Sequence, residues 1–340
     1  MTRGHKIRQY LPQLSFKLVS SPGSLRDLKH NNKLVSYSQV LAPFTSTTSA
    51  AIMASELVVE TCIENYKHSF REDLLSGKVA FITGGGSGIC FTIAEILMRH
   101  GCRTAIVGRK MERLQRSSET LTGATGVKCL PVQADVRKPQ EVLAGFDKCL
   151  QEFGRADIII NGAAGNFLCA LEDLSFNGFK TVIEIDTLGT YNVSKVAFDK
   201  YLKDHGGVII NISATLHHRG TILQTHLGVA KAGIETLAKH QAVEWGPKGV
   251  RVVNVAPGPV ESTEGLRRLG AGMSNEDIGD IMPVGRVGTR QEMGEICLFL
   301  ASDMAGQITG STVIADGGAW MVSGHEKQRM SMYRQFKSKM

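Results

Sequence analysis

The chain has 340 residues, 42% hydrophobic and 21% charged, with 39 Lys and Arg against 32 Asp and Glu for a formal charge of +7. Those proportions exclude intrinsic disorder and collagen-like repeats, and the length suits one large α/β domain or two ordinary ones. Seven scattered cysteines, with no C-x-x-C pair and no His-x-x-x-His, predict neither a disulfide framework nor a metal site. No run approaches 18 consecutive apolar residues, so no stable membrane insertion is expected.

In chain order, residues 1–52 stand apart, with seven basic residues, one acid (Asp27) and abundant Ser and Thr. They carry +6 of the net charge, so the rest is nearly neutral and no nucleic-acid partner is expected. Such a leader reads as a mitochondrial presequence, a disordered extension, or sequence translated ahead of a start at Met53. Residues 53–76 form an N-terminal arm. From Lys78, short apolar runs alternate with amphipathic stretches. Strands are predicted at Val79–Thr83, Thr104–Val107, Val127–Val132, Asp157–Ile160, Val208–Ile212, Val250–Val255 and Ser311–Ala315, and the first helices at Ile89–His100 and Met111–Leu121. That alternation implies right-handed crossovers and one doubly wound α/β domain over 77–322, with a parallel sheet of about seven strands. Residues 323–340 remain as a C-terminal tail.

The first strand runs into Gly84, Gly85, Gly86, Ser87 and Gly88, and then Ile89 opens a helix. Bare backbone at a helix N-terminus lets a pyrophosphate approach the amides. Arg109 closes the second strand. An acid there would suit the ribose 2′-hydroxyl of NAD, whereas arginine accommodates a 2′-phosphate, so NADP(H) is the expected cofactor.

The turn, together with Asp135-Val136, Asn161-Gly-Ala-Ala-Gly165, Lys231-Ala-Gly and Pro257-Gly258 in that order, resembles the short-chain dehydrogenase/reductase family. The resemblance implies a Rossmann fold, with Asp135 and Val136 bordering the adenine and Asn161 to Ala163 the ribose. Pro257, Gly258, Pro259, Val260, Glu261, Ser262 and Thr263 would line the nicotinamide and phosphates. One departure is Cys90, where the family turn has its last glycine. The added side chain is expected to strain helix–strand packing by about 1–3 kcal/mol.

The catalytic positions depart further. Lys231 is present, but Leu227 stands where the family's tyrosine would be, and Ala214 falls on the serine position beside Ser213. Asp186 takes the place of the usual asparagine. Loss of two proton-handling groups argues against carbonyl reduction, whereas reducing a conjugated thioester needs a hydride, a held oxyanion and protonation at carbon. The altered set resembles the family's 2,4-dienoyl-CoA reductase branch, whose resemblance runs from about Tyr66 to Trp320. It implies that Asp186 orients a proton-delivering water and that Lys231 holds the nicotinamide ribose. Phe167, Ser175, Phe176 and Asn177 would line the acyl-CoA site, with Arg109, Arg137 and Arg268 meeting substrate phosphates. The paired His217 and His218 read as an exposed loop and are given no role. Two other readings stay open: a 3-oxoacyl thioester reductase with Ser213 as acid, and a catalytically degenerate NADP-binding protein.

The resemblance also implies a homodimer or homotetramer packed through long helices such as 228–244. Ser338-Lys339-Met340 is similar to the peroxisomal S-K-L address, which implies an import receptor as partner and a peroxisomal location. A genuine presequence would instead imply the mitochondrion.

Overall fold

The computed structural model describes residues 60–322, apart from 69, 222, 270–273 and 281. The leader, the start of the arm and the C-terminal tripeptide lie outside the described residues. Seven strands, β1 (Val79–Thr83), β2 (Arg103–Gly108), β3 (Cys129–Gln133), β4 (Ile158–Asn161), β5 (Gly207–Ile212), β6 (Val250–Pro257) and β7 (Thr312–Ala315), form one sheet in the order β3-β2-β1-β4-β5-β6-β7. Every pairing is parallel. The predicted strands are therefore present, with ends shifted by one or two residues. β1, β4 and the centres of β5 and β6 are buried on both faces, which explains their continuous Val, Ile and Ala content.

Helices cover both faces. One core layer packs α1 (Gly88–Arg99), Leu114 of α2 (Met111–Thr125) and α10 (Arg290–Ala301) against the sheet. The other packs α3 (Pro139–Phe153), α5 (Gly189–Ala197) and α7 (Thr225–Trp245). Between these helices in the chain lie α4 (Phe176–Ile183), α6 (Lys203–His205), α8 (Glu264–Leu269) and α9 (Asn275–Gly279). Helix α1 has buried side chains from Cys90 to Met98 without a break because the arm covers its outer side. Ile63 N donates to Glu95 Oε1 at 2.8 Å, Arg99 Nη2 donates to the Ile63 carbonyl at 2.9 Å, and Tyr66 Oη lies 2.9 Å from His100 Nε2. Burial lowers the His100 pKa, the first of several influences on it. From residue 60 the arm is thus part of the folded body.

Two features position the site. Reversal of strand order between β1 and β4 opens a crevice at the carboxyl ends of the strands, where α/β sheets bind ligands. The second is that α4, α5 and α6 follow one another with only π turns between them, at Glu184–Leu188 and Phe198–Leu202. A π turn rotates side chains relative to a regular helix and recurs at functional sites. The first of these turns carries Asp186.

Candidate active site

The glycine-rich turn leaves the end of β1 with Gly84 at φ +73° and Gly88 at φ +59°, a region L side chains avoid. A Cβ on Gly84 would sit 2.8 Å from the Gly162 carbonyl, and one on Gly85 2.7 Å from Ile106, so both must be glycine. Above Gly88 a Cβ would meet nothing within 4 Å, so the turn is open to a ligand there. Ser87 makes no side-chain cap and no acid lies in the first turn of α1. Glu60 compensates in part: Gly88 N donates to its Oε1 at 2.8 Å, and Arg290 pairs with its other oxygen. Sequence reasoning missed Glu60, because no local pattern ties an arm residue to a turn 28 positions later.

Cys90 needs a correction to the strain argument. Its side chain is buried in the core, and an ideal Cβ on Gly162 would lie only 2.0 Å from its Sγ. The sulfur occupies the volume that a side chain at 162 would otherwise fill. Glycine at 162 thus supplies the space, and the helix need not move. Burial pushes the Cys90 thiol up to about 12, so it stays protonated.

Asn161 starts a ladder of amides across the strand ends. Its Nδ2 donates to Ser194 Oγ and Asn211 Oδ1, Asn211 Nδ2 donates to Asn254 Oδ1, and Asn254 Nδ2 donates to Thr312 Oγ1. The ladder ties four strands together at the crevice, and Asn161 Oδ1 stays buried without a partner. The backbone amides of Gly162 and Ala163 both donate to Thr83 Oγ1, fixing the expected ribose edge against β1.

Lys231 and Asp186 meet in the centre. Lys231 Nζ donates to the Ile212 carbonyl at 2.9 Å and stands 3.0 Å from Asp186 Oδ1 as an ion pair. Asp186 is fully buried, and its Oδ2 accepts the Gly165 amide at 2.8 Å. It lies within a continuous helical run and is no helix-start cap. Leu227 packs with Val182 and Ala230 in a small apolar cluster, so no hydroxyl faces the pair from the tyrosine position. Ser213 is buried and donates to Glu235 Oε1 at 2.9 Å, so its proton is committed to a carboxylate. His217, given no role from sequence, is half-buried with its Nε2 3.0 Å from Glu235 Oε2, whereas His218 is exposed as expected.

The remaining predicted residues spread around the crevice. Pro257 to Thr263 follow β6. Gly258 N donates to the Ala315 carbonyl, Glu261 N to the Gly288 carbonyl, and Ser262 takes a left-handed φ of +54°. Val136 is buried. Asp135 forms a fork with Arg137, whose hydrogen bonds hold its carboxyl below the usual carboxylate range despite partial burial. Arg137 and Arg268 are therefore already paired: Arg268 Nε donates to Glu264 Oε1 at 2.6 Å. The Arg267 fork first, and Arg268 after it, lowers the Glu264 pKa to about 2. Arg109 is exposed, and after the Arg137 hydrogen bonds its charge is among the influences that lower the pKa of the nearby Asp135 carboxyl. Arg113 was missed by sequence reasoning. It flanks Gly86, and its Nε is buried without a hydrogen-bond partner, an incomplete environment that an anion would complete. Phe167 stacks on His226 at 4.4 Å, and His226 Nε2 lies 2.9 Å from the Phe167 carbonyl. Ser175 caps α4 by accepting the Gly178 amide; Phe176 is almost wholly exposed, and Asn177 is exposed beside it.

A seven-stranded doubly wound sheet, a glycine-rich turn ahead of α1 and a lysine-bearing α7 define a short-chain dehydrogenase/reductase. Residues 84–319 match the family described as enoyl-(acyl carrier protein) reductase. The chain belongs to the short-chain dehydrogenase/reductase family, whose members take a nicotinamide cofactor. Among its relatives, a Danio rerio protein named peroxisomal 2,4-dienoyl-CoA reductase, (3E)-enoyl-CoA-producing, is 53% identical over 280 residues, covering 82% of this chain and 93% of the relative. An Arabidopsis thaliana protein of the same name is 39% identical over 262 residues, covering 74% and 87%. A solved short-chain dehydrogenase from Bacillus anthracis superposes with a TM-score of 0.67 at 37% identity, over 74% of this chain and 99% of that one.

Proposed function

We propose that this protein reduces 2,4-dienoyl-CoA to 3-enoyl-CoA with NADPH, as a step in β-oxidation of unsaturated fatty acids. The observation that carries the reading is the buried Asp186–Lys231 pair where Leu227 supplies no proton. The relatives named for this reaction support it. The open face above Gly88 and the unpartnered Arg113 Nε fit a dinucleotide, while the Gly88 amide itself is held by Glu60.

A nicotinamide cofactor held there would supply a hydride to the far end of the diene. The electron pair then moves to the thioester oxygen, and a proton must reach carbon to give the 3-enoyl product; the balance is one hydride and one proton per substrate. Lys231 donates one N–H to the Ile212 carbonyl and stands beside Asp186 Oδ1 as an ion pair, and that oxygen accepts no hydrogen bond among the described residues, so N–H donors remain for the ribose hydroxyls. Asp186 is anchored through Oδ2 by Gly165, so its Oδ1, beside the ammonium, can orient a water without itself moving. Leu227, Val182 and Ala230 keep that side of the site dry. Phe167, held by His226, offers an apolar face to the acyl chain, with Ser175, Phe176 and Asn177 beyond it.

Preference for NADPH rests on Arg109 at the end of β2 and Arg113 beside the turn, two guanidiniums suited to a 2′-phosphate. For the CoA phosphates, Arg137 and Arg268 would exchange their carboxylate partners for phosphate oxygens. Peroxisomal location is supported by the relatives' names and by Ser338-Lys339-Met340.

The test is NADPH oxidation by the purified protein. Turnover with a trans-2,trans-4-dienoyl-CoA and none with a 3-oxoacyl-CoA is expected. The reverse pattern would select carbonyl reduction, which the commitment of Ser213 to Glu235 disfavours. Tight NADPH binding without turnover on either substrate would leave a degenerate binding protein.

A further inference from the structure

The loop after β5 and the middle of α7 bring together three metal-type ligands outside the reaction centre. His217 Nε2 is 3.0 Å from Glu235 Oε2. The His218 ring lies 4.4 Å from that of His217, tilted by 33°. One ligand atom from each of the three residues falls within 4.8 Å of the others. No sequence spacing announces the set, because the carboxylate arrives from a helix 17 residues further on.

His217 presents Nε2 to Glu235, while its Nδ1 is buried without a partner among the described residues and takes no part in the ligand set. Glu235 is well anchored, with Oε1 receiving the Ser213 hydroxyl at 2.9 Å while Oε2 faces the His217 imidazole. That is the arrangement in which an outer hydroxyl orients a ligating carboxylate. Two imidazoles and one carboxylate form a borderline N/O donor set, favouring Zn²⁺ and its neighbours over Mg²⁺ or Ca²⁺.

Geometry permits closure. Bonds of about 2.0–2.1 Å in a tetrahedral site place ligand atoms roughly 3.4 Å apart. His217 and Glu235 already stand near that separation, so only His218, exposed on its loop, must swing by about 1 Å or more. We propose that His217, His218 and Glu235 form a three-ligand site for a divalent transition-metal ion of the Zn²⁺ type, with the fourth position open to water. A bound ion would tie the loop after β5 to α7. Glu235 lies one helical turn beyond Lys231, and Ser213 follows the Ile212 carbonyl that holds Lys231. The site therefore adjoins the reaction centre while sharing no ligand with it.

The experiment uses full-length, tag-free protein stripped of metal by chelation. Co²⁺ is titrated by its visible absorption, and Zn²⁺ by calorimetry and by displacement of Co²⁺. One equivalent is expected, with a nitrogen- and oxygen-ligated cobalt spectrum. His218→Asn and Glu235→Gln should each weaken binding by on the order of 10–100-fold or more. His218 is exposed, so that variant decides the matter even if Glu235→Gln folds poorly. A wild-type protein that binds no equivalent of Co²⁺ or Zn²⁺ would overturn the proposal. Equal affinity in wild type and His218→Asn, or a thiolate charge-transfer band, would do the same.

Discussion

The contact between Cys90 and Gly162 makes a quantitative prediction, because each residue fills or vacates the same volume. Cys90→Gly deletes a Cβ and an Sγ from a site only 5% exposed. At roughly 0.8 kcal/mol per buried methylene-sized group this loses about 1.5 kcal/mol, and a glycine near the start of α1 adds up to about 1 kcal/mol. The expected loss is about 2–3 kcal/mol. Gly162→Ala drives a methyl to 2.0 Å from the sulfur in a close-packed region, at a cost of about 1–3 kcal/mol. In the double variant, the new methyl enters the space the sulfur has left. Its cost should fall short of the sum of the singles by about 1–3 kcal/mol. Urea unfolding of the four proteins under one buffer measures this coupling, with the slope checked for constancy. Additivity within about 0.5 kcal/mol would refute the shared-volume argument. A Cys90→Gly protein more stable than wild type would restore the strain argument in its place.

Three other predictions follow from the site and its surroundings. Asp186→Asn should keep the Gly165 contact and the fold yet lower turnover on dienoyl-CoA by about 10²–10⁴-fold, with NADPH affinity changed little; steady-state rates and fluorescence titration separate the two. Arg113→Ala should reduce the NADPH-to-NADH ratio of kcat/KM by on the order of 10-fold or more, and an unchanged ratio would remove Arg113 from the 2′-phosphate site. Glu292 closes the capping box of α10, and the Arg286 fork first, then Thr289, lowers its pKa from 4.5 to about 2. A depressed carboxyl stabilises the fold fully above its unfolded value and loses that contribution as pH falls from about 4.5 through about 2. Glu292→Gln should therefore have a thermal midpoint that drops less steeply over that window; an unaltered slope would show that the group contributes nothing there.

Much of the fold was legible in the sequence because its signals are local. Buried parallel strands must be nearly continuous in apolar residues, and a turn with positive φ must carry glycine, as Val79–Thr83 and Gly84 to Gly88 do. The absence of a proton donor at Leu227 and the presence of Lys231 could likewise be read from residue identity alone. What only the tertiary structure decided depends on groups distant along the chain. Asp186 is a buried partner of Lys231, and no helix cap, because a π turn and the Gly165 amide hold it there. Cys90 fits because Gly162, 72 positions away, has no side chain. Glu60 reaches Gly88, Ser213 is spent on Glu235, and His217 acquires a carboxylate from α7. Residue types set which chemistry was available, and packing across the sheet set which groups meet, since distances between remote side chains are fixed only when the core closes.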